Sequence, residues 1–152
     1  MLLTQILRPS SVKVPLQGKE KQAVISELVD LLEAQNLLDD RAACLDAVLV
    51  RERTRSTGIG SGVAIPHGKC KGVSELVMAM GVAREPIDFG SIDGKGVTII
   101  MLLISPSDRT GPHIQALARI SRLMLDEQFR QQLGQANSAE DVYSLIEQKE
   151  KQ

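Results

Sequence analysis

The spacing of apolar residues changes several times along the chain, and each change marks a structural element. In residues 19–35, Val24, Leu28, Leu31 and Leu32 follow the 3.6 period, while Glu20, Lys21, Glu27 and Glu33 lie elsewhere. This predicts an amphipathic helix. Asn36 and the Asp39-Asp40 pair break the pattern, and either aspartate can cap a second helix running to about residue 53. Its inner face would use Ala43, Leu45, Ala47, Val48 and Val50. Ahead of both, Val12-Lys13-Val14 alternates and predicts a short strand, closed by Pro15 and Gly18. Val63, Ala64 and Ile65 read as another short strand, ended by Pro66. Residues 76–82 form a further strand, and Ile87 and Phe89 alternate with polar neighbours as a short edge strand or loop. After a turn at 92–96, residues 97–104 are apolar except for Thr98, which suits a central strand covered on both faces.

Residues 105–108 read as a loop. Thr110 is then the expected N-cap of a third long helix, with Pro112 and His113 in its first turn. Ile114, Leu117, Ala118, Ser121 and Leu125 are its expected buried stripe. A short helix over 126–133 ends near Gly134, and Ser138 to Asp141 resembles a capping box that opens the last helix through Val142, Leu145 and Ile146. The order is a strand, two helices, three or so strands and three helices. It predicts a single α/β (mixed α+β) domain over residues 1–152, with a mixed central sheet of about five strands sandwiched by helices.

Composition narrows the function. The chain has 152 residues, of which 43% are apolar but only 2% aromatic, so the core must be aliphatic. With one Tyr, two Phe and no Trp, base stacking on aromatic platforms has almost nothing to use. A net charge of −1 argues against a general nucleic-acid or membrane-surface binder. No apolar run reaches the length of a membrane span, and no secretory signal is visible at the N-terminus. Cys44 and Cys70 do not make a disulfide framework, so reduced thiols in a cytoplasmic protein are expected.

The chemistry concentrates in residues 51–69. Arg51, Arg53 and Arg55 come first, where cations suit the C-terminal end of a helix. Gly58, Gly60 and Gly62 follow at every second position, and the Ile-Pro pair then ends at His67 with Gly68 beside it. Several site types are excluded. Gly68-Lys69 is followed by Cys70, and Val63 stands where a Walker loop needs glycine. The glycine run enters a strand instead of opening a helix, so it is not a dinucleotide fingerprint. His67-x-x-Cys70 is one loose pair, too few ligands for zinc, and no metal is expected.

Two histidines remain. His113 alone reads as a polar residue at a helix start. His67 has surroundings that suit a nucleophile: one ring nitrogen can attack a phosphoryl group while the other donates a hydrogen bond that fixes the tautomer. The incoming negative charge would need backbone N–H groups, for which the loop of Ser56, Thr57, Gly58, Gly60 and Gly62 is the expected phosphate cradle. Arg51 could add bidentate contacts, and His113 a hydrogen bond from a helix N-terminus. Transfer between histidines requires mainly positioning and electrostatics, with no obligatory metal or other cofactor.

The segments Arg51-Glu52, Ser56-Thr-Gly-Ile-Gly60, Gly62-Val-Ala-Ile-Pro-His-Gly-Lys69 and His113 before Leu117 resemble the fructose/mannitol-type enzyme IIA of the bacterial phosphotransferase system. Ile87 to Gly94 also fits, and the resemblance covers nearly the whole chain. Among the branches it is most similar to the stand-alone nitrogen-regulatory type. The resemblance implies a phosphotransferase that carries phosphate on His67, received from an HPr-type histidine phosphocarrier protein. His113 and Arg51 would be its supporting residues. A cysteine on a IIB partner would take the group in the sugar branch. With no IIB or membrane IIC domain in view, regulation of a target protein by phosphorylation state is the expected alternative, in a nitrogen/potassium-type binding module. A third reading, unrelated to the family, is a small-ligand domain using the glycine loop for a nucleotide.

Overall fold

The computed structural model describes all 152 residues. Its strands are β1 (Leu7–Lys13), β2 (Gly58–Gly60), β3 (Val63–Ala64), β4 (His67–Cys70), β5 (Val77–Ile87) and β6 (Val97–Pro106). The helices are α1 (Lys21–Ala34), α2 (Arg41–Thr54), α3 (Thr110–Leu123), α4 (Glu127–Gln135) and α5 (Ala139–Glu150). The six strands form one mixed sheet in the order β1-β5-β6-β3-β2, and β4 also pairs with β6. The expectation of a mixed sheet between helices holds, with six strands in place of about five.

Alternation along the strands divides the core in two. Ile100, Leu102 and Ile104 of β6 meet α1 and α2 through Val24, Ile25, Leu28, Val29, Leu32, Cys44 and Val48. Ile99 and Met101 meet the α3–α5 layer through Ile120, Leu123, Phe129, Leu133, Val142 and Ile146. A sheet buried on both faces explains why β6 reads as an unbroken apolar run. Methionines 78, 80 and 101 fill the second core, where a chain with so few aromatics needs adaptable bulk.

Of the two aspartates offered as a cap for α2, Asp40 serves, accepting from the Ala43 amide; at α5 the Ser138 side chain accepts from the Asp141 amide, which is one half of the expected capping box. Other boundaries move. β1 starts at Leu7 rather than residue 12. β5 continues to Ile87, and Phe89 lies in the loop that follows, where it is fully buried. β6 runs through Ser105 and Pro106, which the sequence placed in a loop. The N-cap of α3 is Arg109 and makes no side-chain cap bond, so Thr110 is the first helical residue. Gly134 lies inside α4.

Two helix faces are rotated. In α2 the buried positions are Cys44, Val48 and Glu52; of the expected face Val48 holds, Leu45 and Ala47 pack half-buried against the core, and Val50 is exposed. In α3 the buried positions are His113, Ala116, Ile120 and Leu123. Of the expected α3 stripe, Leu117 is half-buried and Ile114, Ala118, Ser121 and Leu125 are exposed. Two stripes one residue apart competed, and the one containing histidine faces inward. That rotation brings His113 to the sheet.

Candidate functional site

β3 and β4 lie in line along β6. Val63 and Ala64 pair with Ile99 and Ile100, and His67 to Cys70 pair with Leu103 to Pro106. The register passes through Ile65 and Pro66 without a shift, because Pro66 needs no donor there and its carbonyl accepts from Leu103 N at 3.0 Å. Side chains alternate in β4. Gly68 and Cys70 therefore face α2, and His67 and Lys69 face α3. On β6, Ser105 shares the α3 face with Ile99 and Met101.

Gly68 has a packing role that the sequence did not reveal. A Cβ there would lie 3.0 Å from Val48 N and 3.1 Å from the Ala47 carbonyl carbon. The missing side chain lets the α2 backbone press on β4; it does not leave room beside the imidazole.

The structure brings the two histidines together. Their ring centroids are 5.5 Å apart and the planes are inclined at 56°. His67 Nδ1 lies 2.7 Å from the Ile65 carbonyl oxygen. A carbonyl can only accept, so Nδ1 carries the proton and Nε2 has a free lone pair. His113 Nδ1 is 2.7 Å from Ser105 Oγ, and both residues are buried. Burial, and then the charge of Arg51, lower the His67 pKa, against the Ile65 hydrogen bond and the Glu52 carboxylate. For His113, burial comes first, followed by His67 and Lys69, and together they bring its pKa down to about 4. Both imidazoles are therefore neutral at pH 7.

Arg51 lies in the last turn of α2, and its Nη1 donates to the Arg55 carbonyl at 2.8 Å. The neighbouring Glu52 is the hidden support. Its buried carboxylate accepts from Thr57 N at 2.9 Å, from the Thr57 hydroxyl, and from Lys21 Nζ at 3.1 Å. This holds the end of α2 to the start of β2 and fixes where Arg51 stands.

The glycine loop differs from the expected cradle. β2 and β3 form a hairpin, with Gly60 and Gly62 at positive φ on either side of Ser61. Ser61 N donates to Asp93 at 3.0 Å, and Gly62 O accepts from Thr98 N and Ile99 N. Gly62 precedes Val63, which pairs four residues before His67's partner on β6. That is about 13 Å along a strand, so Gly60 and Gly62 stand away from the imidazoles. Ser56, Thr57 and Gly58 return toward the His67 end, as Ile65 N donates to the Thr57 carbonyl. Their groups are engaged: Gly58 N with Ser56 Oγ, Ser56 Oγ with the Phe89 carbonyl, and Thr57 with Glu52. The first turn of α3 is nearer, and there Lys69 Nζ donates to Thr110 Oγ1 at 3.3 Å.

Sequence reasoning missed Ser105, Glu52 as a clamp, and Lys69. The available signal was a lone serine closing the apolar run of β6, whose alternation points it to the α3 face.

The model of the phosphoenolpyruvate-dependent sugar phosphotransferase system EIIA type 2 family matches residues 5–149. The chain belongs to that family. It is 35% identical over 151 residues to the fructose-specific EIIABC component of Bacillus subtilis, covering 99% of this chain and 24% of that protein. The chain thus spans about a quarter of that relative's length. It is 32% identical to a nitrogen regulatory protein of Bradyrhizobium diazoefficiens, covering 96% of this chain and 95% of that one. The crystal structure of nitrogen regulatory protein IIA-Ntr from Neisseria meningitidis superposes with a TM-score of 0.87 at 33% identity, over 95% of this chain and 98% of that one. The fold also matches Escherichia coli enzyme IIA-mannitol, solved in complex with phosphorylated enzyme IIB-mannitol. There the TM-score is 0.80 at 18% identity, over 94% and 99% of the two chains. Family membership makes this EIIA protein a phosphocarrier or regulatory component of the phosphotransferase system.

Proposed function

We propose that residues 1–152 act as one EIIA type-2 domain whose His67 accepts a phosphoryl group on Nε2 from an HPr-type histidine phosphocarrier protein. The observation that carries this reading is the bond from His67 Nδ1 to the Ile65 carbonyl. It holds the nucleophilic nitrogen free, and the lowered pKa keeps it unprotonated. In the transfer, the Nε2 lone pair forms a P–N bond as the P–N bond to the donor imidazole breaks. The donor ring, protonated on its other nitrogen, leaves as neutral imidazole. His67 retains its Nδ1 proton, and the Ile65 carbonyl stabilises the positive charge that develops on the ring.

The supporting groups act on charge. Ser105 donates its hydroxyl proton to His113 Nδ1, which places the His113 proton on Nε2 toward the phosphoryl oxygens. Arg51 and the first turn of α3 add positive potential. Ser56, Thr57 and Gly58 shape the wall at the His67 end and leave phosphate binding to these groups. In this reading the chain works in the cytoplasm, without a metal or other cofactor.

The use of the phosphate follows from the relatives. The structural similarity to IIA-Ntr is higher than to IIA-mannitol, which favours regulation of a target protein by phosphorylation state. A dianion on a largely neutral rim changes which surface can dock. Transfer to a IIB cysteine is the second reading, supported by the identity to the fructose-specific protein.

Incubation with a phosphorylated histidine carrier is expected to add one acid-labile phosphate per chain. His67→Ala should abolish it. Full labelling of that variant would reject the proposal. Pull-downs with each phosphorylation state, beside a transfer assay with IIB, separate the two uses.

A further inference from the structure

The two thiols are not part of the phosphoryl site, yet the fold places them against each other. Cys44 lies in the first half of α2 and Cys70 ends β4. Their Sγ atoms are 3.1 Å apart, although the residues are 26 positions apart in sequence. That is closer than two sulfurs in van der Waals contact. It leaves about 1 Å to close to the ~2.05 Å of a disulfide. The approach is built into the packing, because Gly68 and Gly72 on either side of Cys70 let β4 and its following turn touch α2. A Cβ at Gly72 would lie 2.7 Å from the Asp40 carbonyl and 3.2 Å from Cys44 Sγ.

We infer that Cys44 and Cys70 form a reversible intramolecular disulfide, making the α2–β4 contact a site of thiol oxidation by peroxide. The roles of the sulfurs differ. Cys44 is fully buried, and burial, Cys70 and the carboxylates of Asp40 and Asp39 push its pKa up to about 12. It stays protonated. Cys70 is 8% exposed and lines a surface cavity with Lys71, Ser107, Asp108 and Arg109. A small oxidant therefore meets Cys70 first.

The steps balance. The Cys70 sulfur attacks one oxygen of hydrogen peroxide, the O–O bond breaks, and the departing hydroxide takes the thiol proton as water. This leaves a sulfenic acid. Cys44 Sγ then attacks the sulfenic sulfur, and its hydroxyl leaves with the Cys44 proton as a second water. Two thiols are oxidised and one peroxide is reduced. The bridge would tie the strand that begins at His67 to the helix that ends beside Arg51. It stands whether or not His67 carries phosphate.

The test treats the folded chain with hydrogen peroxide, blocks remaining thiols with an alkylating reagent, and reads the mass and the peptide map. Both thiols should disappear together. A peptide linking Cys44 to Cys70 should appear in monomeric protein, dithiothreitol should restore both thiols, and the unfolding midpoint should not fall. In Cys70→Ala, Cys44 should remain alkylatable, after unfolding, following the same exposure. Cys70 recovered as sulfinic acid with Cys44 still free would overturn the inference. So would linkage only between chains, linkage only after the fold is lost, or no thiol loss at all.

Discussion

His67 and His113 face each other across 5.5 Å between ring centroids, one from a strand and one from the first turn of a helix. Each ring is fixed by an oxygen on its Nδ1, the Ile65 carbonyl for one and the Ser105 hydroxyl for the other. Neither Nε2 atom has a hydrogen-bond partner within the chain. In the proposed transfer, the His67 nitrogen attacks and the His113 nitrogen donates.

Ser105→Ala should expose the dependence of His113 on its buried partner. Losing the bond leaves Nδ1 unpaired and should cost about 1–3 kcal/mol of stability, measured by urea unfolding. Nitrogen chemical shifts of His113 should report a new population protonated on Nδ1, and phosphoryl uptake should slow. An unchanged tautomer would remove Ser105 from the mechanism.

Acid stability should carry the signature of His113. Its folded-state pKa is about 4, below the ordinary 6.5, so the unfolded chain binds the extra proton between those values. Stability therefore rises with pH through that window and is lost as pH falls from 6.5 toward 4. The full loss is on the order of 3 kcal/mol. His67, also lowered, adds in the same direction. At Glu27 burial is outweighed by Lys13 and the amides of Gln17 and Gly18, so its contribution is lost only below its ordinary 4.5. His113→Gln should flatten the upper part of the curve; a parallel curve in denaturant titrations would reject the assignment.

Arg51→Ala should slow phosphoryl uptake by roughly 100-fold while leaving the fold intact. The same variant should raise the His67 pKa, because the Arg51 charge now helps to lower it. Rapid-quench labelling and a histidine NMR titration read the two effects. Unchanged kinetics would count against the residue.

Gly68→Ala tests the contact between β4 and α2. Its Cβ would meet helix backbone at 3.0 Å, which cannot rotate away. The expected cost is about 1–3 kcal/mol in urea unfolding, with slower phosphoryl uptake as the end of α2 is displaced. Wild-type stability would show that the helix sits further from the strand.

Much of the fold was legible because it depends on local pattern. The 3.6 period gave α1, the Asp39-Asp40 pair and Ser138 marked two helix starts, and an apolar run gave the core of β6. Where two local patterns competed, sequence could not choose. Ile114, Leu117, Ala118, Ser121 and Leu125 formed as good a stripe on α3 as His113, Ala116, Ile120 and Leu123. Only the sheet's demand for the second set rotated the helix. The glycine loop failed for a similar reason: spacing shows that its backbone can bend, but not which end of the strand its amides face.

The sequence by itself determined the element types, the family resemblance and His67 as the reactive candidate, because these depend on residue identity and short-range spacing. Tertiary structure alone decided which groups surround that imidazole. The in-line register of β3 and β4 set Gly60 and Gly62 apart from it, and Ser105 came to His113. Burial of His113 brought its pKa down to about 4. Distances between residues far apart in the chain are fixed by packing two helix layers onto one sheet, and no local pattern encodes them.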